Sequence, residues 1–181
     1  ERRISPIVNA DGLTKVFGSN SQSTVAVRNV SFEFCRGELI VLLGPSGSGK
    51  TTLLMLLAGL MKPTSGAVSL FGEKIETYSQ RKLQKLRARR LGFVFQNFLL
   101  IDSLTVLENV ALVVSFAGHS KFAARRQARC LLKQLQIEHL AEKYPAKLSQ
   151  GEKQRVAIAR AIANVADLII ADEPTASLES T

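Results

Sequence analysis

Apolar and polar residues alternate in the first part of the chain. In the stretch "STVAVRNVSFEF", apolar side chains recur at every second or third position, namely at Val25, Val27, Val30, Phe32 and Phe34. This period is typical of a half-buried β-strand. Together with the preceding "VNADGLTKVFG", it predicts two antiparallel strands. The next run, "ELIVLLG", is apolar without alternation and predicts a strand that is buried on both faces.

From that run onward, helical and strand patterns follow one another. A predicted helix, "KTTLLMLLAGL", precedes a predicted strand, "AVSLFG", and a charged helix near residues 80–89 precedes the strand "LGFVFQ". Residues 104–140 show helical periodicity with no strand pattern, and the helix "EKQRVAIARAIA" leads to the strand "ADLIIADEP". Strands that alternate with helices predict an α/β fold with a mostly parallel sheet. We therefore expect an α/β core with an N-terminal antiparallel β subdomain and a helical insert.

Composition adds limits to this picture. A chain of 181 residues, 46% of them hydrophobic, is long enough for one domain with a real core. Its apolar runs fall short of the roughly 20 residues that span a bilayer. The formal charge of +9 is concentrated in "RKLQKLRARR" and "KFAARRQAR". Because apolar residues recur at helical spacing within both stretches, we interpret them as solvated helix faces and expect no nucleic-acid partner.

The stretch "GPSGSGKT", residues 44–51, fits the phosphate-loop pattern G-x-x-x-x-G-K-[ST] between a predicted strand and a predicted helix. Its glycines allow successive N–H groups to point inward, and the helix N-terminus adds partial positive charge. We predict that Lys50 bridges the β- and γ-phosphates, Thr51 binds Mg²⁺ and Thr52 reaches the α-phosphate. The predicted nucleotide ligands of this segment are Gly44, Pro45, Ser46, Gly47, Ser48, Gly49, Lys50, Thr51 and Thr52.

A second motif, "LIIADE", places two carboxylates at the end of a predicted buried strand. Adjacent acids are costly there without a cation, so Asp172 is predicted to belong to the Mg²⁺ shell. Glu173 is predicted to orient and deprotonate the attacking water. Together with the phosphate loop, this motif predicts hydrolysis of a nucleoside triphosphate.

The phosphate loop, "FVFQ", "LSQGEKQRVAIARA" and "ADEPTASLES" occur in the order and spacing of ATP-binding cassette (ABC) ATPases, which the chain resembles over nearly its whole length. The segment "GFVFQNFLLIDSLTVLENV" resembles the group of lipoprotein-releasing, macrolide-export and cell-division ATPases. The resemblance implies the P-loop NTPase fold of this family in a single domain. Residues 1–96 and 155–181 would form its nucleotide-binding core, and residues 97–154 would form a helical subdomain that carries the signature motif.

The resemblance also implies roles for residues outside the phosphate loop. Phe17 matches the aromatic residue that stacks on adenine, although an isolated Phe is more often part of a core. Gln96 matches the glutamine that touches Mg²⁺ and the attacking water and that links the nucleotide to the membrane partner. Ser149 and Gly151 match signature residues that contact the γ-phosphate held by the opposite subunit. The residues themselves predict a capping box of Ser149 with Glu152. An ordinary capped helix would explain these two residues as well as a phosphate-contacting one.

As a whole, the resemblance implies an ATP-binding and ATP-hydrolysing subunit that energises a separate transmembrane permease. It would act as a head-to-tail homodimer with two nucleotides between the subunits, attached peripherally to the cytoplasmic face of the cell membrane. Two alternatives remain open. One is a truncated ATP-binding fragment with little turnover, and the other is a soluble ABC ATPase that acts on DNA or ribosomes.

Three features depart from the family pattern. Gln150 replaces a signature glycine, and we expect this to be tolerated if its backbone is helical or extended. Glu179 stands where the family usually has Asp in a dimer contact. The chain ends at Thr181, before the histidine with which the family contacts the γ-phosphate, and neither His119 nor His139 is in that position. We therefore expect the C-terminal part of the family fold to be missing.

Overall fold

A computed structural model describes residues 6–18 and 22–174 of the protein. They belong to two compact units, residues 1–83 and residues 84–181. The expectations for Glu179 and Thr181 lie outside the described residues. The division of the chain at residues 97 and 154 stays a prediction.

The first unit contains a four-stranded sheet in the order β2-β1-β3-β4. Its strands are β1 (Val8–Phe17), β2 (Thr24–Phe34), β3 (Ser65–Leu70) and β4 (Glu73–Lys74). All neighbouring strands are antiparallel, which confirms the predicted pairing of β1 with β2. β3, which the sequence suggested as part of the α/β pattern, pairs with the other edge of β1 and so belongs to this antiparallel sheet.

The core of the first unit lies between this sheet and helix α1 (Lys50–Leu57). The helix contributes Leu56 and Leu57, and β1 and β3 contribute side chains that are almost completely buried, among them Val8, Leu13, Val68 and Leu70. The predicted helix "KTTLLMLLAGL" and the predicted strand "AVSLFG" that follows it are thereby confirmed.

The predicted strand in "ELIVLLG" is wrong. Residues 38–44 have no regular structure, and the side chains of Leu39 and Leu43 are each 89% exposed. A strand requires a neighbour that satisfies its N–H and C=O groups, and an apolar sequence alone does not supply one. Both edges of β1 are occupied by β2 and β3, and no strand among the described residues pairs with this segment.

The second unit contains the parallel pair of strands that the α/β pattern predicted. Helix α2 (Gln80–Arg90) leads directly into β5 (Leu91–Val94), which pairs in parallel with β6 (Leu168–Ala171). Between these strands the chain forms α3 (Val106–Phe116), α4 (Lys121–Gln134) and α5 (Gln150–Ile162). Two short 3₁₀ turns, Glu138–Leu140 and Pro145–Lys147, lie between α4 and α5.

The three helices α3, α4 and α5 share one apolar core. Fully buried members include Val106, Val110, Val114, Leu132 and Val156. The predicted helical region is thus confirmed, and the two basic stretches lie on α2 and α4 as expected. Among the described residues, none of the helices has the length and apolar character needed to cross a bilayer.

Candidate nucleotide-binding and hydrolysis site

The phosphate loop requires glycine at its junction with α1. Gly49 is the N-cap of the helix and has φ +90°, a left-handed conformation that side chains disfavour. A Cβ atom at Gly49 would lie 2.1 Å from the carbonyl oxygen of Ala26 in β2. Gly47 is also left-handed, with φ +77°. Glycine is therefore needed in this loop for two reasons, the left-handed backbone conformation and the close approach of the loop to β2.

Lys50 folds back across this loop. Its Nζ donates hydrogen bonds to the carbonyl oxygens of Gly44 at 2.8 Å and Pro45 at 2.9 Å. The N-terminus of α1 has no side-chain cap and no acidic residue in its first turn. Since the first N–H groups of a helix carry partial positive charge, the loop presents a cation and backbone donors in an exposed segment. This arrangement is suited to an anion.

The other predicted ligands of the first unit lie at its surface. Thr51 is exposed and Thr52 is half-buried, both in the first turn of α1. Phe17 closes β1 with 41% of its surface exposed, and the ammonium of Lys15 lies 5.3 Å from its ring centroid. Phe17 is therefore not a core residue, and its ring can take part in stacking.

The second unit brings together two predicted catalytic residues that are 77 positions apart. Gln96 follows β5, and Glu173 follows β6. The Nε2 of Gln96 donates a hydrogen bond to Oε2 of Glu173 at 2.7 Å. The parallel pairing of β5 and β6 continues to Asp172, whose N–H donates to the carbonyl oxygen of Val94 at 2.9 Å. Strand pairing thus places the glutamine and both carboxylates at the same edge of the second unit.

The signature segment forms the capped helix start that the sequence predicted. Ser149 is the N-cap of α5, and its Oγ accepts a hydrogen bond from the N–H of Glu152 at 3.3 Å. Oε2 of Glu152 accepts the N–H of Ser149 at 2.7 Å, and this bond, more than the one to the Ser149 side chain, lowers the pKa of the Glu152 carboxyl. Gln150 is exposed and begins the helix without a left-handed φ, which is the backbone condition under which we expect this residue to be tolerated.

Gly151 differs from the glycines of the phosphate loop. It lies in the first turn of α5 without a left-handed φ. A Cβ atom at this position would meet no described atom within 4 Å. Within the described chain, neither backbone conformation nor packing requires a glycine here.

Sequence reasoning missed two polar residues that hold the loop after Gln96. Asn109 of α3 is only 1% exposed, although it stands within an apolar run. Its Oδ1 accepts the N–H of Ile101 at 2.8 Å, and its Nδ2 donates to the carbonyl oxygens of Ile101, Leu104 and Thr105. An Asn on the apolar face of a helix was the available signal. Arg160 of α5 bonds two carbonyls of the same loop, and its position among alanines offered no signal.

Comparison with known proteins decides the family. The family model described as "ABC transporter" matches residues 27–176 of the chain. The protein belongs to the ABC transporter family. The ABC ATPase is similar to the lipoprotein-releasing system ATP-binding protein LolD 1 of Caulobacter vibrioides, with 42% identity over 174 residues, 96% of this chain and 74% of that protein. It is also 44% identical to the ABC transporter ATP-binding protein YbbA of Escherichia coli over 173 residues, 96% of this chain and 76% of that protein.

A solved structure agrees with these sequence relatives. The ATP-binding cassette MJ0796, a dimer in a post-hydrolysis state bound to ADP and Pi, matches with a TM-score of 0.89 and 40% identity. The match covers 96% of this chain and 76% of that one. The expected α/β P-loop NTPase fold of ABC ATPases is thereby confirmed. The chain is an ATP-binding and ATP-hydrolysing subunit of an ABC transporter, as its motifs predicted.

Proposed function

We propose that this ABC ATPase hydrolyses MgATP with Glu173 as general base and Gln96 as the residue that orients the base and the attacking water. The observation that carries this proposal is the 2.7 Å hydrogen bond between Gln96 Nε2 and Glu173 Oε2. Glu173 is exposed, so its carboxylate is accessible to water. A general base must lie within hydrogen-bond reach of the proton that it removes, and the amide of Gln96 restricts where the carboxylate can point.

The nucleotide would be held by the phosphate loop of the first unit. Lys50, which bonds the loop carbonyls of Gly44 and Pro45, would exchange these partners for the β- and γ-phosphates. Thr52 would reach the α-phosphate, and the exposed ring of Phe17 would stack on adenine. The backbone N–H groups at the uncapped start of α1 would complete the phosphate cradle.

The predicted Mg²⁺ ligands fit a hard cation. Thr51 offers a hydroxyl, Asp172 a carboxylate and Gln96 an amide oxygen, and oxygen donors of this kind are the ones that Mg²⁺ prefers. The bond from Gln96 to Glu173 uses the amide nitrogen, so it leaves the amide oxygen Oε1 as an acceptor. When bound, Mg²⁺ would neutralise charge on the phosphates. Asp172, directly after β6, would be a carboxylate ligand of the Mg²⁺ ion.

The working unit is proposed to be a head-to-tail homodimer in which Ser149 and Gly151 contact the γ-phosphate held by the opposite subunit. Gly151 supports this, because the described chain gives no internal reason for a glycine there. A glycine at this position would allow a group from another molecule to approach the backbone closely. The partial positive charge at the start of α5 would favour an anionic group.

The proposed partner is a transmembrane permease, and the proposed location is the cytoplasmic face of the cell membrane. ABC ATPases of this family work with permease partners, and the loop after Gln96 offers a surface for one. Leu99 and Ile101 of this loop are exposed, while its backbone is held by Asn109 and Arg160. No nucleic-acid partner is proposed.

The test is steady-state ATP hydrolysis by the wild type and by Glu173→Gln. We expect Glu173→Gln to lower kcat by about 100-fold or more, since general-base catalysis contributes about 10²–10⁴-fold, while ATP binding is retained. Glu142→Gln, an exposed carboxylate on the same unit, is the matched control and should keep wild-type turnover. Equal turnover of Glu173→Gln and Glu142→Gln would refute the assignment of the base. ATP-dependent dimerisation of Glu173→Gln, followed by sedimentation velocity, tests the proposed assembly.

A further inference from the structure

The loop that follows Gln96 has an unusual backbone at two consecutive residues. Phe98 has φ +58° and Leu99 has φ +47°, both in the left-handed region although neither is glycine. Such conformations are unfavourable for residues that carry a Cβ atom and persist where the surrounding structure determines them. Another part of the protein must therefore hold this loop in place.

Arg160 supplies the contacts that hold it. Its Nη1 donates to the carbonyl oxygen of Leu99 at 2.5 Å, and its Nη2 donates to the carbonyl oxygen of Phe98 at 2.5 Å. The planar guanidinium presents parallel donors in a fixed fork, which suits two adjacent carbonyls. A lysine could bond only as a flexible point charge.

The surroundings of Arg160 indicate that these two hydrogen bonds are the main partners of its guanidinium charge. Burial lowers the pKa of the guanidinium, which nevertheless keeps its charge. Among residues 6–18 and 22–174, no carboxylate lies within ion-pair distance of Arg160. A half-buried cation without an anionic partner depends on carbonyl dipoles, so Arg160 and the loop stabilise each other.

The position of Arg160 is itself set by tight packing. A Cβ atom at Gly92 of β5 would lie 2.2 Å from the carbonyl oxygen of Ala161, so the last turn of α5 contacts β5 through backbone. β5 ends at Val94, two residues before Gln96. The residue that holds the loop is therefore anchored on the strand that delivers Gln96.

We propose that Arg160 is a positioning residue for ATP hydrolysis, which fixes the carbonyls of Phe98 and Leu99 and thereby orients Gln96 on Glu173. This rests on the proposed roles of Gln96 and Glu173. The helix that carries Arg160 begins at the signature segment, and Gln150 and Arg160 are about 15 Å apart along it.

Kinetics of Arg160→Gln provide the first test. We expect kcat to fall by about 10- to 100-fold, because small misplacement of a catalytic group is costly, while KM and the Kd for ATP stay within about twofold. Arg160→Lys should recover part of kcat, and it keeps the test informative if Arg160→Gln does not fold. Arg155→Gln, an exposed arginine of the same helix, is the matched control and should behave as wild type. Wild-type kcat in Arg160→Gln would overturn the proposal.

A double-mutant cycle separates positioning from general destabilisation. If Arg160 acts through Gln96, Arg160→Gln should lower kcat by less than about twofold when Gln96 is already replaced by Ala, because residues that act as one unit are not additive. An independent loss of the full factor in the Gln96→Ala background would contradict the proposal.

Hydrogen exchange of the nucleotide-free protein tests the contact without any assumption about turnover. Arg160→Gln should accelerate exchange of the amides of residues 95–101, where the N–H of Phe98 bonds the carbonyl oxygen of Phe95, and leave residues 106–116 unchanged. Unchanged exchange of the loop would overturn the proposal. A wild type without ATPase activity would instead refute the proposed function, so the two failures are distinguishable.

Discussion

Helices α1 and α5 both begin at motifs assigned to phosphate contact, yet their N-terminal ends are built differently. α1 begins at a left-handed glycine, with no side-chain cap and no acidic residue in its first turn. α5 begins at Ser149, and a complete capping box with Glu152 engages the N–H groups of Ser149 and Glu152. Free helix N-termini attract anions, and a capping box weakens this attraction because it satisfies two N–H groups and adds a carboxylate.

This difference separates two kinds of phosphate contact. The end of α1, with Lys50 and the loop N–H groups, is suited to hold a nucleotide within one chain. The end of α5 is stable by itself, and its open glycine, Gly151, is suited to a phosphate that arrives with another subunit. Four experiments test this difference between the two helix ends.

The largest effect is expected from Lys50→Ala. Hydrogen bonds to charged groups contribute about 1.5–3 kcal/mol, so the Kd for ATP should rise by about 10- to 150-fold. Titration with a fluorescent ATP analogue measures this, and Lys62→Ala, an exposed lysine of the same unit, is the control. Wild-type affinity of Lys50→Ala would show that the α1 end does not hold the nucleotide.

Replacing Gly49 and Gly151 by Ala should affect the free energy of unfolding differently. Gly49→Ala places a Cβ 2.1 Å from Ala26 O at φ +90° and should lower the free energy of unfolding by at least about 1–3 kcal/mol. Gly151→Ala meets no atom in a helical turn and should leave stability unchanged or raise it by up to about 1 kcal/mol, while ATP turnover falls. Urea unfolding and ATPase assays distinguish the two. Destabilisation by Gly151→Ala would show that this glycine has a structural role.

The capping box should make the free energy of unfolding depend on pH in the acidic range. The pKa of Glu152 lies below its ordinary value of 4.5 in the folded protein, so the stabilisation is present above that value and is lost as the pH falls through the folded pKa. Unfolding of the wild type and of Glu152→Gln, compared between about pH 3 and pH 6, should converge at the acidic end. Ser149→Ala should cost about 1 kcal/mol near neutral pH. A constant difference between wild type and Glu152→Gln across the range would contradict the capped state.

The smallest effect is expected from Gln150→Gly. Gln150 is exposed at the start of α5 with an ordinary backbone, and Ser149 and Gly151 remain beside it. ATPase activity should change within about twofold, far less than in Ser149→Arg or Glu173→Gln, since the changed side chain contacts nothing that the cap requires. Comparable losses in all three variants would show that Gln150 takes part in the contact.

Sequence alone predicted most elements and every motif whose meaning is local. The period of apolar residues located β1, β2, α1 and the helices of the second unit, and the Ser149–Glu152 spacing predicted the capping box. It failed for residues 38–44, because an apolar run does not reveal whether a partner strand is available. It also did not indicate that β3 would join the antiparallel sheet, since strand pairing depends on residues distant in sequence.

Motifs whose residues lie within one short stretch can be recognised from the sequence alone. The phosphate loop, the adjacent carboxylates, the signature helix and the family were identified in this way. Only tertiary structure decided how distant residues meet. Parallel pairing of β5 and β6 brought Gln96 to Glu173 across 77 positions, and packing of α5 on Gly92 brought Arg160 to the carbonyls of Phe98 and Leu99. These contacts depend on strand register and backbone packing, which arise only when segments far apart in sequence fold against each other.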